Sequence, residues 1–285
     1  MPINFIRFYR RWMTLENVFI NDWEIARFDD DTLSVEEEAI AIEFPLTIVI
    51  NGKEFATMVC TPTHIRELII GFLASEGVVR FFDEIRSISI DDTQGFAYVE
   101  VNRPIEQFDQ DHSKRFIGSC CGKSRQFYFK SDVQTAKTVT TPIKIHAQQC
   151  LSLIDQLQTL STSFQMTGGI HNAALCTADK ILTIHNDIGR HNALDKIYGY
   201  IIENDIKLND KVIAFSGRIS SEVLLKVSKM GIGIIISKSA PTDLALNLAN
   251  DLGITVVGFV RGKKMNVYTN QDRIIELDEL RSAVK

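Results

Sequence analysis

Long apolar runs are missing from this sequence. No window approaches the ~18 apolar residues of a membrane-spanning helix, so no membrane partner is expected. Cysteine is scarce, with five residues in 285. An odd, low count excludes a disulfide-stapled secreted scaffold and fits free thiols in a reducing compartment. Charge of one sign does not dominate either. The formal net charge is −5, so nucleic-acid binding is not expected and any anion site must be local. The N-terminal "MPINFIRFYRRWM" is basic and aromatic but lacks the continuous apolar stretch of a secretion signal. Internal repeats and low-complexity tracts are absent. A cytoplasmic protein is expected. Its 45% hydrophobic and 24% charged residues are ordinary for a soluble globular chain, and its length suggests about two domains.

Residues 1–40 end in "DDDTLSVEEEA" and read as an N-terminal lead-in arm. Next, "LTIVINGKEFATMV" holds two β-rich runs around Asn51-Gly52, the strongest short hairpin signal. A helix is predicted after it, capped by Thr61, with Ile65, Leu68, Ile69, Phe72 and Leu73 on one apolar face and Gly77 as its stop. Strands are predicted at Ile85–Ile90 and Phe96–Val101. This order gives residues 41–142 as a small α+β domain with a cysteine-bearing loop at its end.

The second domain, residues 143–285, opens with a helix through Cys150, Ile154 and Leu157, then a hairpin around Ala178-Asp179-Lys180. "DIGRHNALDKIYGYII", "KVIAFSG", "SSEVLLKVSKMG", "IGIIIS", "APTDLALNLANDLG" and "ITVVGFV" then alternate helix and strand. Such alternation predicts a parallel sheet with helices on its faces. Ligands of open α/β sheets bind outside the carboxyl ends of the strands. Those ends here carry Ser216-Gly217-Arg218, Ser237-Lys238-Ser239 and Arg261-Gly262-Lys263-Lys264, beside a helix start at Asp187-Ile188-Gly189-Arg190-His191-Asn192. Helix N-termini favour anions, so a phosphate-bearing or nucleotide-like ligand is expected.

The stretch "IGSCCGKSR" at residues 117–125 places Cys120 and Cys121 side by side. The phosphate loop of nucleotide-binding proteins needs four residues between its glycines, and Gly118 to Gly122 leaves three. A structural zinc site is not expected, because Cys60, Cys150 and Cys176 sit singly on apolar elements and read as small buried hydrophobes. A disulfide between neighbours would be a strained, reducible ring. What remains is a basic loop with inert cysteines or one with working thiols. Lys114, Arg115, Lys123 and Arg125 flank the pair, and cations increase the thiolate fraction.

Together "SCCGKSR", "TGGIHNAAL", "DIGRHNALDK", "FSGRISSEVLLK", "SKSAPTDLA" and "GFVRGKKMNVYT" resemble the formate dehydrogenase accessory protein (FdhD) family from about Phe44 to Thr269. The resemblance implies a sulfurtransferase that takes sulfur from a cysteine desulfurase as a persulfide. It passes that sulfur to the molybdenum (or tungsten) bis(pterin guanine dinucleotide) cofactor of formate dehydrogenase, a guanine-nucleotide-like ligand bound as substrate. No permanently bound metal is expected. It also implies a cytidine-deaminase-like mixed-sheet domain beside the smaller α+β domain. The deaminase zinc signature is not matched: His171 is followed by Asn172 and Ala173, and no Cys-x-x-Cys occurs.

Many family members space the loop cysteines as Cys-Gly-x-Cys-Gly, whereas here they are adjacent. Cys121, followed by Gly122, is the favoured carrier, with Cys120 assisting or dispensable. The resemblance assigns Phe259, Val260, Arg261, Gly262, Lys263 and Lys264 to cofactor binding. Arg218 and Lys238 are candidates for the same anion, Asp187 for guanine N–H groups, and His191 for lining the crevice. Partners are then a desulfurase and formate dehydrogenase, and a homodimer is plausible for such a fold. The competing function is a chaperone that binds the finished cofactor without needing the thiols.

Overall fold

The computed structural model describes residues 20–102, 115–117, 136–161 and 167–283. Cys120 and Cys121 lie outside them. The segment expected as a lead-in arm contains a hairpin: β1 (Ile20–Asp29) pairs antiparallel with β2 (Thr32–Ala41) as a separate two-stranded sheet. Its turn is made by Asp30, in the left-handed region at φ 49°, and Asp31. Aspartate tolerates that conformation, so the acidic run that reads as a polar arm also supplies a tight turn.

The first lobe is a five-stranded sheet in the order β5-β6-β3-β4-β7. Its strands are β3 (Phe44–Ile50), β4 (Lys53–Cys60), β5 (Ile85–Asp91), β6 (Phe96–Val101) and β7 (Arg115–Ile117). Asn51 and Gly52, at φ 46° and 79°, turn β3 into β4 as the Asn-Gly signal predicts. Helix α1 (Ile65–Ser75) buries Leu68, Ile69, Phe72 and Leu73 against Leu46, Ile48 and Met58. It starts after His64 rather than at Thr61, because Thr61 is engaged by the other lobe.

The second lobe holds a six-stranded sheet in the order β13-β12-β11-β10-β8-β9. Its strands are β8 (His171–Cys176), β9 (Ile181–Asp187), β10 (Val212–Phe215), β11 (Ile234–Ser237), β12 (Thr255–Arg261) and β13 (Lys264–Val267). The expected parallel arrangement holds for β10, β11 and β12, which are joined by crossover helices. β8 runs antiparallel to its neighbours β9 and β10, and β13 runs antiparallel to β12; short turns rather than helices join β8 to β9 and β12 to β13, so the sheet is mixed. One face packs α3 (Arg190–Glu203), α4 (Ser221–Met230) and α5 (Asp243–Leu252), and the other packs α2 (Ala147–Leu160) and α6 (Ile275–Ala283). Ser220 and Thr242 cap α4 and α5 through their hydroxyls, and Gly231 and Gly253 end them in the left-handed conformation. Among the described residues no helix is long and apolar enough to cross a membrane.

The lobes meet where α1 crosses α3. A Cβ on Gly71 would lie 1.8 Å from the Asp195 carbonyl oxygen, and one on Gly199 would lie 1.9 Å from that of Glu67. Both glycines therefore permit a backbone contact that any side chain would prevent. Tyr198 and Ile202 of α3 pack into the first lobe's core, while Leu194 and Ile197 pack into the second.

Candidate functional site: a polar sheet edge beside the lobe seam

The parallel order of β10, β11 and β12 brings their carboxyl ends to one edge. β8 runs the opposite way, so its first residue, His171, comes to the same edge, paired with Asp187 at the end of β9. The segments singled out in the sequence thus gather along a single line, linked by side-chain and backbone contacts. Ser237 Oγ donates to the Gly217 carbonyl at 2.8 Å and accepts from Ser239 N at 3.0 Å. Arg261 Nε donates to the Lys238 carbonyl at 3.2 Å, and Phe259 N donates to the Ser239 carbonyl at 3.1 Å. A Cβ on Gly217 would come within 3.3 Å of Arg190 Cβ, so the α3 start lies against the end of β10.

The cations and an aromatic face outward. Arg218, Lys238, Phe259, Arg261, Lys263 and Lys264 are exposed, Gly262 forms the turn with Lys263, and Val260 is buried in the core behind them. Phe259 is 39% exposed with φ 52° at a bulge in β12. A bulky residue in the left-handed region is an outlier, and such strain concentrates at functional sites. The Arg261 guanidinium lies 5.4 Å from the Phe259 ring centroid. Lys238 Nζ donates to Gln158 Oε1 at 2.8 Å, which spans the sheet edge to α2. His191 is half-buried at the start of α3, with Nε2 3.4 Å from Glu222 Oε2. His171 has its pKa lowered, by burial first and then by neighbouring Arg190.

The structure corrects the reading of Asp187 as an acceptor for guanine. Its carboxylate is fully buried and engaged by the chain itself. Oδ2 accepts from Thr61 N at 3.0 Å and pairs with Lys196 Nζ at 2.8 Å; Oδ1 accepts from Gly189 N at 2.8 Å and Asn192 Nδ2 at 3.0 Å. Lys196, fully buried, also donates to the carbonyls of Thr61 and Asn186. A buried carboxylate needs such partners, so Asp187 joins the lobes rather than facing a ligand. The same seam holds the buried pair Asp195–Lys226 at 2.6 Å, with Ser75 Oγ donating to Asp195 Oδ1. Asp187 and Arg261 stand four strands apart, about 19 Å at normal strand spacing, so they do not share one contact.

The sequence does not reveal how the first lobe enters this region. β7 pairs parallel with β4, Ile117 beside Met58. β4 continues through Val59, whose carbonyl accepts from Asn192 Nδ2 at 2.9 Å, into Thr61 at the seam. β7 thus runs, alongside β4, toward the α3 end of the polar edge. Cys120 and Cys121 follow Ile117 by three and four residues, a reach of no more than about 14 Å.

The three described cysteines are buried as expected. Burial pushes the thiols of Cys60, Cys150 and Cys176 up to about 12, with Asp187 adding to the effect at Cys60. Thiols in that state are inert at neutral pH. Iodoacetamide applied to the native protein will therefore modify Cys120 and Cys121 but not these three, and unfolding in guanidinium will release all five, as counted by intact mass.

Fold and site define a two-lobed mixed α/β protein with a cationic sheet edge beside the lobe seam. The same architecture occurs in the crystal structure of a protein from Desulfotalea psychrophila described as a formate dehydrogenase accessory protein, with TM-score 0.74, 25% identity, and 90% of this chain and all of that one covered. The chain belongs to the FdhD/NarQ family, which it matches over residues 41–275. It is 57% identical over 254 residues to the sulfur carrier protein FdhD of Geobacillus kaustophilus, covering 88% of this chain and 95% of that protein. It is 54% identical over 253 residues to the FdhD of Bacillus subtilis, covering 89% and 97% respectively.

Proposed function

We propose that this chain carries sulfur as a persulfide on Cys121 and delivers it to the molybdenum bis(pterin guanine dinucleotide) cofactor of formate dehydrogenase. One observation supports the reading beyond family membership: the parallel β4–β7 pairing brings Ile117, three residues before Cys120 in sequence, onto the strand that runs into the seam where the cationic edge begins. In the loading step the Cys121 thiolate attacks the outer sulfur of a cysteine desulfurase persulfide. A new S–S bond forms, the donor's S–S bond breaks, and the donor cysteine leaves as a thiolate that takes up a proton. Cys120, its neighbour in sequence, assists release or is dispensable. This chemistry needs free thiols and hence a reducing compartment, which supports the cytoplasm as its location.

The cofactor lies along the strand ends as an anionic substrate. Arg261 and Arg218 supply fork-shaped donors, and Lys238, Lys263 and Lys264 supply point charges for its phosphates. The exposed Phe259 ring offers a flat apolar face for a planar heterocycle. A cradle spread over several strands suits a long, two-armed ligand better than a mononucleotide. The order β9-β8-β10-β11-β12, a hairpin followed by crossover units, supports the cytidine-deaminase-like description of the second lobe.

Guanosine diphosphate is a usable probe of the cradle. Arg261→Glu combined with Lys263→Glu and Lys264→Glu will weaken its binding by about tenfold or more in calorimetry, with sulfur loading of the protein by desulfurase retained. Unchanged affinity would place the ligand elsewhere.

A further inference from the structure

The β1–β2 hairpin belongs to neither lobe's sheet. Ten residues per strand make it ~30 Å long, and an isolated two-stranded hairpin is marginal in water. Its register sorts the side chains into two unlike faces. One face carries Arg27, which pairs with Glu36 at 3.1 Å and Glu38 at 3.5 Å, so its acids have an internal cation. The other face pairs Phe28 with Leu33 and Ala26 with Val35 at the tip. Phe28, Leu33 and Val35 are 73%, 73% and 68% exposed, an apolar patch with no partner among the described residues.

Directly behind that patch Glu24 stands opposite Glu37. Like charges facing each other across a strand pair are destabilising, and among the described residues no cation pairs with either. Charge is concentrated here more widely. In residues 20–41 eight carboxylates against Arg27 give −7, so the rest of this −5 chain carries +2. The hairpin rises close to the polar edge: a Cβ on Gly169, two residues before β8, would lie 3.9 Å from Ala41 Cβ at its base. An acidic, apolar arm beside an anion-receptive edge is poorly suited to hold the anion itself. It suits the protein that receives the anion, because an enzyme pocket built for a polyphosphorylated cofactor must present cations at its entrance.

We infer that the Phe28–Leu33–Val35 face of the hairpin docks onto formate dehydrogenase apoenzyme, at an apolar patch rimmed by lysine and arginine beside its cofactor entrance. The inference rests on the sulfur-delivery reading for its choice of partner. Apolar contact supplies the holding energy, and Glu24 and Glu37 gain the cations they lack, which also orients the carrier's polar edge toward the entrance.

The test uses the full chain and purified formate dehydrogenase apoenzyme, with affinity read by biolayer interferometry. Phe28→Ser with Leu33→Ser will weaken the complex about tenfold or more. Glu24→Lys with Glu37→Lys will do the same and flatten the loss of affinity seen as salt rises from about 0.01 M to about 0.15 M. Both variants will melt at the wild-type temperature, since these side chains lie outside both cores, and both will load sulfur from desulfurase and cysteine normally. Wild-type affinity in both variants would overturn the inference. A loss of sulfur loading with apoenzyme binding intact would assign the face to the desulfurase, and conversion of a dimer to a monomer in light scattering would assign it to a second copy; either outcome overturns it. Failure of the wild type to take up sulfur would instead count against the sulfur-carrier reading, and the apoenzyme titration is read independently of it.

Discussion

Cys121→Ala is expected to abolish sulfur loading and to reduce formate dehydrogenase activity in cells by about 100-fold or more, while guanosine diphosphate binding stays unchanged. The argument is one of elimination as well as position. Three of the five cysteines are buried with thiols pushed up to about 12, so they supply almost no thiolate at neutral pH. Only Cys120 and Cys121 remain, with Lys114, Arg115, Lys123 and Arg125 around them in sequence. Cys120→Ala is expected to retain loading and to slow delivery. These two variants separate a carrier from a chaperone that binds the finished cofactor. The chaperone keeps full cellular activity without its thiols, and the carrier does not.

Asp187→Ala is expected to lower stability by about 3–5 kcal/mol, the cost of stranding a buried charge, or roughly 6–20 °C in melting temperature for a chain of this class. The substitution leaves Lys196 charged and fully buried without its carboxylate, and removes the acceptor of Thr61 N, Gly189 N and Asn192 Nδ2. Adding Lys196→Met to Asp187→Ala is expected to recover part of the loss, because no uncompensated charge then remains. Differential scanning calorimetry of the single and double variants measures that coupling. A stable Asp187→Ala protein with weakened guanosine diphosphate binding would restore the ligand-acceptor role.

The Asp187 case shows what a sequence can and cannot disclose. Its place at a strand end beside a helix start was legible from the alternation of "ILTIH" and "RHNALDK" with the turn between them. Its partners were not, because Thr61 lies 126 residues away and nothing local records that pairing. The apolar helices and the Asn-Gly hairpin were legible because each rests on contacts within a few residues. The β8–β9 hairpin was legible from its turn at Ala178-Asp179-Lys180, whereas β13 was missed because a hairpin turn, not a crossover, follows β12. β7 escaped notice because three residues in a polar stretch carry no periodicity, and its pairing with β4 is set by the fold. The β1–β2 hairpin was obscured by its charge: an acidic run reads as a solvated arm unless its alternation and its aspartate turn are weighed together. The placement of Arg218, Lys238 and Arg261 at the ends of neighbouring strands was legible from the helix–strand alternation. The structure adds their spread across the sheet, which separates Arg261 from the α3 start.

The central claim is that sulfur rides on the adjacent cysteine pair. Intact mass spectrometry after incubation with desulfurase and cysteine, followed by fragmentation, tests it most directly. The account predicts one added sulfur atom, removed by reductant and localised to Cys121. An unchanged mass, or sulfur localised to Cys60, Cys150 or Cys176, would contradict it.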